Sequence, residues 1–105
     1  MEDNDNIFES VTNWWIDKIR ETTYPAKVSD KNIESFQNLL KNSIKNEFAY
    51  KGYITIAILP NNLLTKCLKE ANINLNPLLM YEMNLTPNFI SIYDKYGNLI
   101  DYKSL

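Results

Sequence analysis

Apolar positions recur along this chain with two periods, and the change from one to the other divides it. Ile7, Phe8, Val11, Trp14, Trp15 and Ile19 fall on one side of a helix. Asn6 stands ahead of them as a cap, with Glu9 three residues on to close a capping box. Thr22-Thr-Tyr-Pro25 ends the run near Glu21, because the residue before a proline avoids the helical region. Residues 1–5 read as a flexible acidic tail. A second, longer helix starts at Ser29 or Asp30, with Val28 placed to pack on Ile33 across the first turn. Its stripe is Ile33, Phe36, Leu40, Ile44 and Phe48, with Leu39 on the flank. Lys31, Glu34, Asn38, Lys41 and Lys45 face water, and the helix frays before Gly52.

The period then drops to two. Gly52-Tyr-Ile-Thr-Ile-Ala-Ile-Leu-Pro60 is the most strand-committed run in the sequence. Ile54, Ile56 and Ile58 share one face, and Tyr53, Thr55, Ala57 and Leu59 the other. With neither face strongly polar, the run reads as a strand inside a sheet rather than at its edge. Pro60-Asn-Asn62 leads into a third helix with the stripe Leu63, Leu64, Cys67, Leu68 and Ala71, ending near Asn72. Residues 73–77 form a linker. Leu79, Tyr81, Met83 and Leu85 alternate with Met80, Glu82 and Asn84, and Thr86-Pro-Asn88 turns the chain into Phe89–Tyr93. Asp94-Lys-Tyr-Gly-Asn98 is a type I turn with Gly97 left-handed, a bulged hairpin connection, and Leu99 to Tyr102 closes the sheet.

The predicted order is therefore α-α-β-α-β-β-β, one α+β domain over residues 1–105. Its four-stranded sheet pairs the Ile-rich strand with a C-terminal meander, and its three helices lie mostly on one face. If the first two strands are parallel, the third helix makes a right-handed crossover between them.

Charge narrows the partners. The net charge is −2, with both signs in short alternation, and Arg20 is the single arginine. No basic stripe exists for a phosphate backbone, and the usual bidentate reader of guanine is nearly absent, so nucleic acid is disfavoured as a partner. The apolar runs are too short to span a membrane, and no basic segment precedes an apolar one near the start. Together with a single cysteine, this reads as a cytoplasmic protein. The wealth of Asn, Lys and Ile, whose codons are A/T-rich, points to an AT-rich genome.

Chemistry is narrowed further. With no histidine, the Ser-His-Asp, Cys-His and zincin arrangements are excluded. One cysteine excludes a structural zinc site of the usual kind. Gly52 and Gly97 are the only glycines, so no phosphate-binding loop or dinucleotide fingerprint can be written. Cys67 could be a nucleophile with Lys66 and Lys69 nearby, but its place between Leu64, Leu68 and Ala71 reads as core. Asp17 and Glu21 could share a metal, but interleaved with Lys18 and Arg20 they read as a solvated helix face. No catalytic, cofactor or metal residue is assigned.

Aromatic residues give the one positive signal. Two Trp and seven Tyr are residue types enriched at binding hot spots. If the helices cover the isoleucine side of the sheet, Tyr53, Thr55, Met80, Glu82 and Tyr93 line the opposite side as a protein-docking face. Trp14, at the edge of the first helical stripe, is the rival anchor.

Three segments carry a resemblance. Trp14-Trp-Ile-Asp-Lys-Ile-Arg20, Ser29-Asp-Lys-Asn-Ile-Glu-Ser-Phe36, and Leu59-Pro-Asn-Asn-Leu-Leu64 with Leu68-Lys-Glu-Ala-Asn-Ile73 are similar to small uncharacterised proteins of low-GC Gram-positive bacteria and their prophages. The C-terminal meander departs from that group at Pro77-Leu-Leu-Met80 and Lys95-Tyr-Gly97. The resemblance brings no function of its own, but it implies an accessory gene of a mobile element. The expectation is a non-enzymatic binding protein that inhibits a bacterial defence system, of the anti-CRISPR or another anti-defence type. The alternatives are an immunity protein or antitoxin, and a small carboxylate-dependent hydrolase or nuclease.

Overall fold

A computed structural model describes residues 3–22, 28–74 and 80–105. Helix α1 runs Asp3–Thr22 and α2 runs Asp30–Lys51. Strand β1 (Ile54–Ala57) is followed by α3 (Leu63–Glu70), then by β2 (Glu82–Leu85), β3 (Phe89–Tyr93) and β4 (Leu99–Ser104). The expected order α-α-β-α-β-β-β and the α+β class are those observed. Most of the expected linker, and Leu79 at the head of the expected second strand, lie outside the described residues.

The helix termini follow local chemistry. Helix α1 begins at Asp3, so Asn6 sits inside it and is not its cap, and the expected tail over residues 1–5 is helical from Asp3 onward. Ser29 caps α2, its Oγ accepting the Asn32 N–H at 3.1 Å. Gly52 closes α2 in the left-handed region (φ 80°), its N–H donating to the Phe48 carbonyl at 2.7 Å.

Helix α3 is closed without glycine. Asn72 takes the left-handed conformation (φ 62°), its N–H donating to Lys69 O, while the Ile73 N–H donates to Leu68 O at 2.9 Å. This pair of bonds is a Schellman closure, and the accompanying apolar contact comes from Ile73 and Leu68, both buried.

The core lies between the helices and one sheet face. Phe8, Val11, Trp15, Ile16 and Ile19 of α1 join Ile33, Phe36, Leu40 and Ile44 of α2 and Leu64, Cys67 and Leu68 of α3. They pack on Ile54, Ile56, Met83, Leu85 and Ile92 from the sheet. The start of α1 meets the C-terminal half of α2 through an edge-to-face contact of Phe8 with Phe48 (5.6 Å) and a Glu9–Lys41 ion pair at 3.3 Å. Thr12 is a buried hydroxyl on α1, satisfied by donating to the Phe8 carbonyl at 2.7 Å.

The sheet is antiparallel throughout, in the order β1-β2-β3-β4. Strands β1 and β2 are therefore not parallel, and the condition for a crossover is not met. Strand β1 is also an edge strand, against the expectation that it lies inside the sheet. The alternation of side chains reports which faces are covered and carries no record of main-chain neighbours. The outer edge of β1 is nevertheless closed. The Ala57 N–H donates to Asn62 Oδ1 (3.2 Å), and Asn62 Nδ2 donates to the Thr55 carbonyl (2.8 Å). The same Oδ1 accepts the Leu64 N–H at 3.0 Å and so caps α3. One side-chain amide thus replaces a rung of the missing strand and starts a helix.

Candidate functional site

Register assigns the two faces of the sheet. Ile54, Leu85, Ile90 and Lys103 form one cross-strand row, and Ile56, Met83, Ile92 and Asp101 the next; both face the helices. The alternate rows face away: Thr55, Asn84, Ser91 and Tyr102, then Ala57, Glu82, Tyr93 and Leu99. Five of the six residues predicted to dock a partner belong to this uncovered side or its margin.

They do not form one cluster. Met80, Glu82 and Tyr93 line a groove of about 550 Å³ where β1 and β3 end and β2 begins. Leu59 and Lys95 are also part of its lining, and Leu59 and Met80 are about half exposed. Thr55 is half-buried and donates from Oγ1 to Asn84 Oδ1 at 2.8 Å; Asn84 Nδ2 in turn donates to Glu82 Oε2 at 3.3 Å. That chain of bonds fixes the polar floor beside the groove. Tyr53 is exposed, but it precedes β1 at the other end of the face, four residues or about 13 Å along the strand from Ala57. Ala57, which shares the open face, is buried, because the chain bends back after it and the Leu59 N–H donates to the Ala57 carbonyl.

Trp14 lies apart from the other five, on the helix side. It is half-buried and meets Trp15 (4.9 Å) and Tyr81 (5.3 Å) edge to face. The Lys18 ammonium stands over both Trp14 and Tyr81, at 5.2 and 5.5 Å from the ring centres. The indole is thus largely engaged within the chain.

The turn that borders the groove is tightly built. The Gly97 N–H donates to Asp94 O, the Asp94 N–H to Asn98 O, and Gly97 is left-handed (φ 82°), the bulged hairpin expected from sequence. Asp94 Oδ1 accepts the Tyr96 and Asn98 N–H groups, each at 2.9 Å. These bonds, the one from Asn98 foremost, hold its carboxyl below the ordinary value; nearby Lys95 adds to the effect. Cys67 is buried, and burial pushes its thiol up, with Glu70 adding to the rise and the Ser43 hydroxyl at 3.5 Å opposing it. It is a core residue. Among the described residues no three Cys, Asp or Glu side chains gather as metal ligands, and no helix is long and apolar enough to cross a membrane.

Sequence reasoning placed β4 but not its exposure. Every residue of that strand is exposed, including Leu99, Ile100 and Tyr102, and Tyr102 stacks on Phe89 at 5.6 Å. Nothing in the apolar pair Leu99-Ile100 signals that the helices stop short of this strand. Comparison with known proteins finds no matching family model and no matching curated protein.

Proposed function

We propose that this chain is a non-enzymatic protein-binding protein that works by occupying a partner's surface. The observation that carries the reading is the uncovered sheet face with its groove: Leu59, Met80 and Tyr93 offer apolar anchors beside Glu82 and Lys95, on a rigid antiparallel frame. A few partly exposed aromatic and aliphatic anchors ringed by polar groups are what a protein interface uses. The narrower reading, an inhibitor of a bacterial defence system, rests on the resemblance of the three sequence segments and on no feature of the fold.

The test starts from capture of the partner by the purified chain and its identification, followed by calorimetry with variants. Tyr93→Ala is expected to weaken binding by about 1 kcal/mol or more. Its effect on stability should be smaller than that of Ile56→Ala, which opens a core cavity costing roughly 2–5 kcal/mol. Tyr53→Ala reports whether the partner reaches the far end of the face. Binding that survives at both tyrosines and fails at Trp14→Ala places the interface on the helix side. Turnover that depends on one of the carboxylates, with binding untouched by all three changes, overturns the proposal.

A further inference from the structure

We infer that β4 is the contact edge for a second copy of this chain, the two β4 strands pairing antiparallel about Tyr102 to join two sheets into one of eight strands. The two edges of the sheet are finished differently. Asn62 holds the outer main-chain groups of β1, whereas among the described residues no other element packs along β4 beyond its pairing with β3.

The phase of the free edge follows from the β3–β4 ladder. The Leu105 N–H donates to the Asn88 carbonyl at 2.8 Å, so Leu105, and with a period of two Lys103 and Asp101, turn their main-chain groups toward β3. Tyr102 and Ser104 therefore turn theirs outward. Consistent with this, the Tyr102 N–H is held by the Asp101 carboxylate at 2.8 Å and by no strand. An incoming antiparallel strand must match outward residues with outward residues, which leaves registers two residues apart.

Charge selects among those registers. Centred on Tyr102, the pairing sets Asp101 opposite Lys103 of the second copy, and Lys103 opposite its Asp101. Sliding two residues one way sets Asp101 against Asp101, and the other way Lys103 against Lys103, and like charges directly opposite are destabilising. Neither Asp101 nor Lys103 has an ion-pair partner in the single chain among the described residues. On pairing, the Asp101 carboxylate leaves the Tyr102 N–H for the facing ammonium. The N–H then takes the Tyr102 carbonyl of the second copy, so no donor is stranded. Directly opposed residues share a face, so the two Tyr102 rings meet on the uncovered side, each backed by its stacked Phe89. The irregularity that leaves Ile100 unpaired against β3 marks the end of the regular edge.

Charge exchange tests this by sedimentation equilibrium. The parent chain is expected to show a concentration-dependent dimer. Asp101→Lys and Lys103→Asp are each expected to raise its dissociation constant about tenfold or more, through repulsion between like charges. The double exchange, which restores opposite charges in the same register, is expected to restore the dimer. All four positions altered are exposed β4 sites in two copies, and circular dichroism checks that each variant is folded. A parent that stays monomeric to about millimolar concentration, the low limit of useful affinity, overturns the inference. So does a dimer indifferent to the single changes, a double exchange that is folded yet monomeric, or a dimer lost on Tyr93→Ala instead.

Discussion

Two adjacent tryptophans meet opposite environments, and the helical wheel separates them. Trp15 is fully buried, and its Nε1 has no hydrogen-bond partner among the described residues, so the indole contributes by packing alone. Trp15→Ala is expected to cost about 3–5 kcal/mol in urea unfolding. Trp14→Ala should cost clearly less, since that ring keeps one side toward solvent; the reverse ranking would show α1 rotated about its axis. Cys67 was legible in the same way, from its place in the stripe of α3. With the thiol buried and its ionisation disfavoured, labelling by a thiol reagent should be slow in the native protein and fast in denaturant. Rapid native labelling would reopen Cys67 as a reactive group. Ile16 and Thr12 were not legible: Ile16 lies just off the expected stripe, and Thr12 is buried only because its hydroxyl is satisfied inside the helix.

Among the elements, the β3–β4 turn shows how much local chemistry a short sequence specifies. Asp94 and Gly97 define it jointly, one by accepting main-chain N–H groups and the other by its left-handed backbone. Nothing lies within 4 Å of a Cβ built on Gly97, so Gly97→Ala strains only the backbone. A loss of about 1 kcal/mol in thermal unfolding is expected, and a variant that melts like the parent would refute the turn. Because the Asp94 carboxyl is held below its ordinary value, its contribution is complete above the unfolded carboxylate range. It is lost as pH falls through the lowered value. Amide shifts of Tyr96 and Asn98 followed by NMR should move in that acidic window, and Asp94→Asn should abolish the movement. The start of α2 was equally legible, since Ser29 is the residue that position demands; its end was not, for the helix expected to fray before Gly52 holds to Lys51 and closes on Gly52 in the left-handed region. The start of α1 and the sheet position of β1 were not legible, because a first turn without apolar residues and the identity of a main-chain neighbour leave no periodic trace.

For the molecule as a whole, the apolar pattern determined the class and the covered face, because burial of one side chain in two or three or four is what a shared core imposes. It did not determine where coverage stops. The helices reach across β1, β2 and β3, and β4 is left outside them with Leu99, Ile100 and Tyr102 in water. The open sheet face was singled out for its tyrosines, yet the groove at its end depends on Leu59 and on the turn at Asp94–Asn98, which meet only after folding. The bonds made by Asn62 bear on how many copies can join. A sheet with two open borders is bivalent and can grow without limit, in the manner of a fibre. A sheet with one border sealed has a valence of one, and its growth stops at a pair. Asn62→Ala removes the seal at Thr55 and Ala57 and, if β4 pairs as inferred, is expected to turn a terminating unit into a propagating one. Static light scattering of that variant should rise steadily at concentrations where the parent solution stays clear.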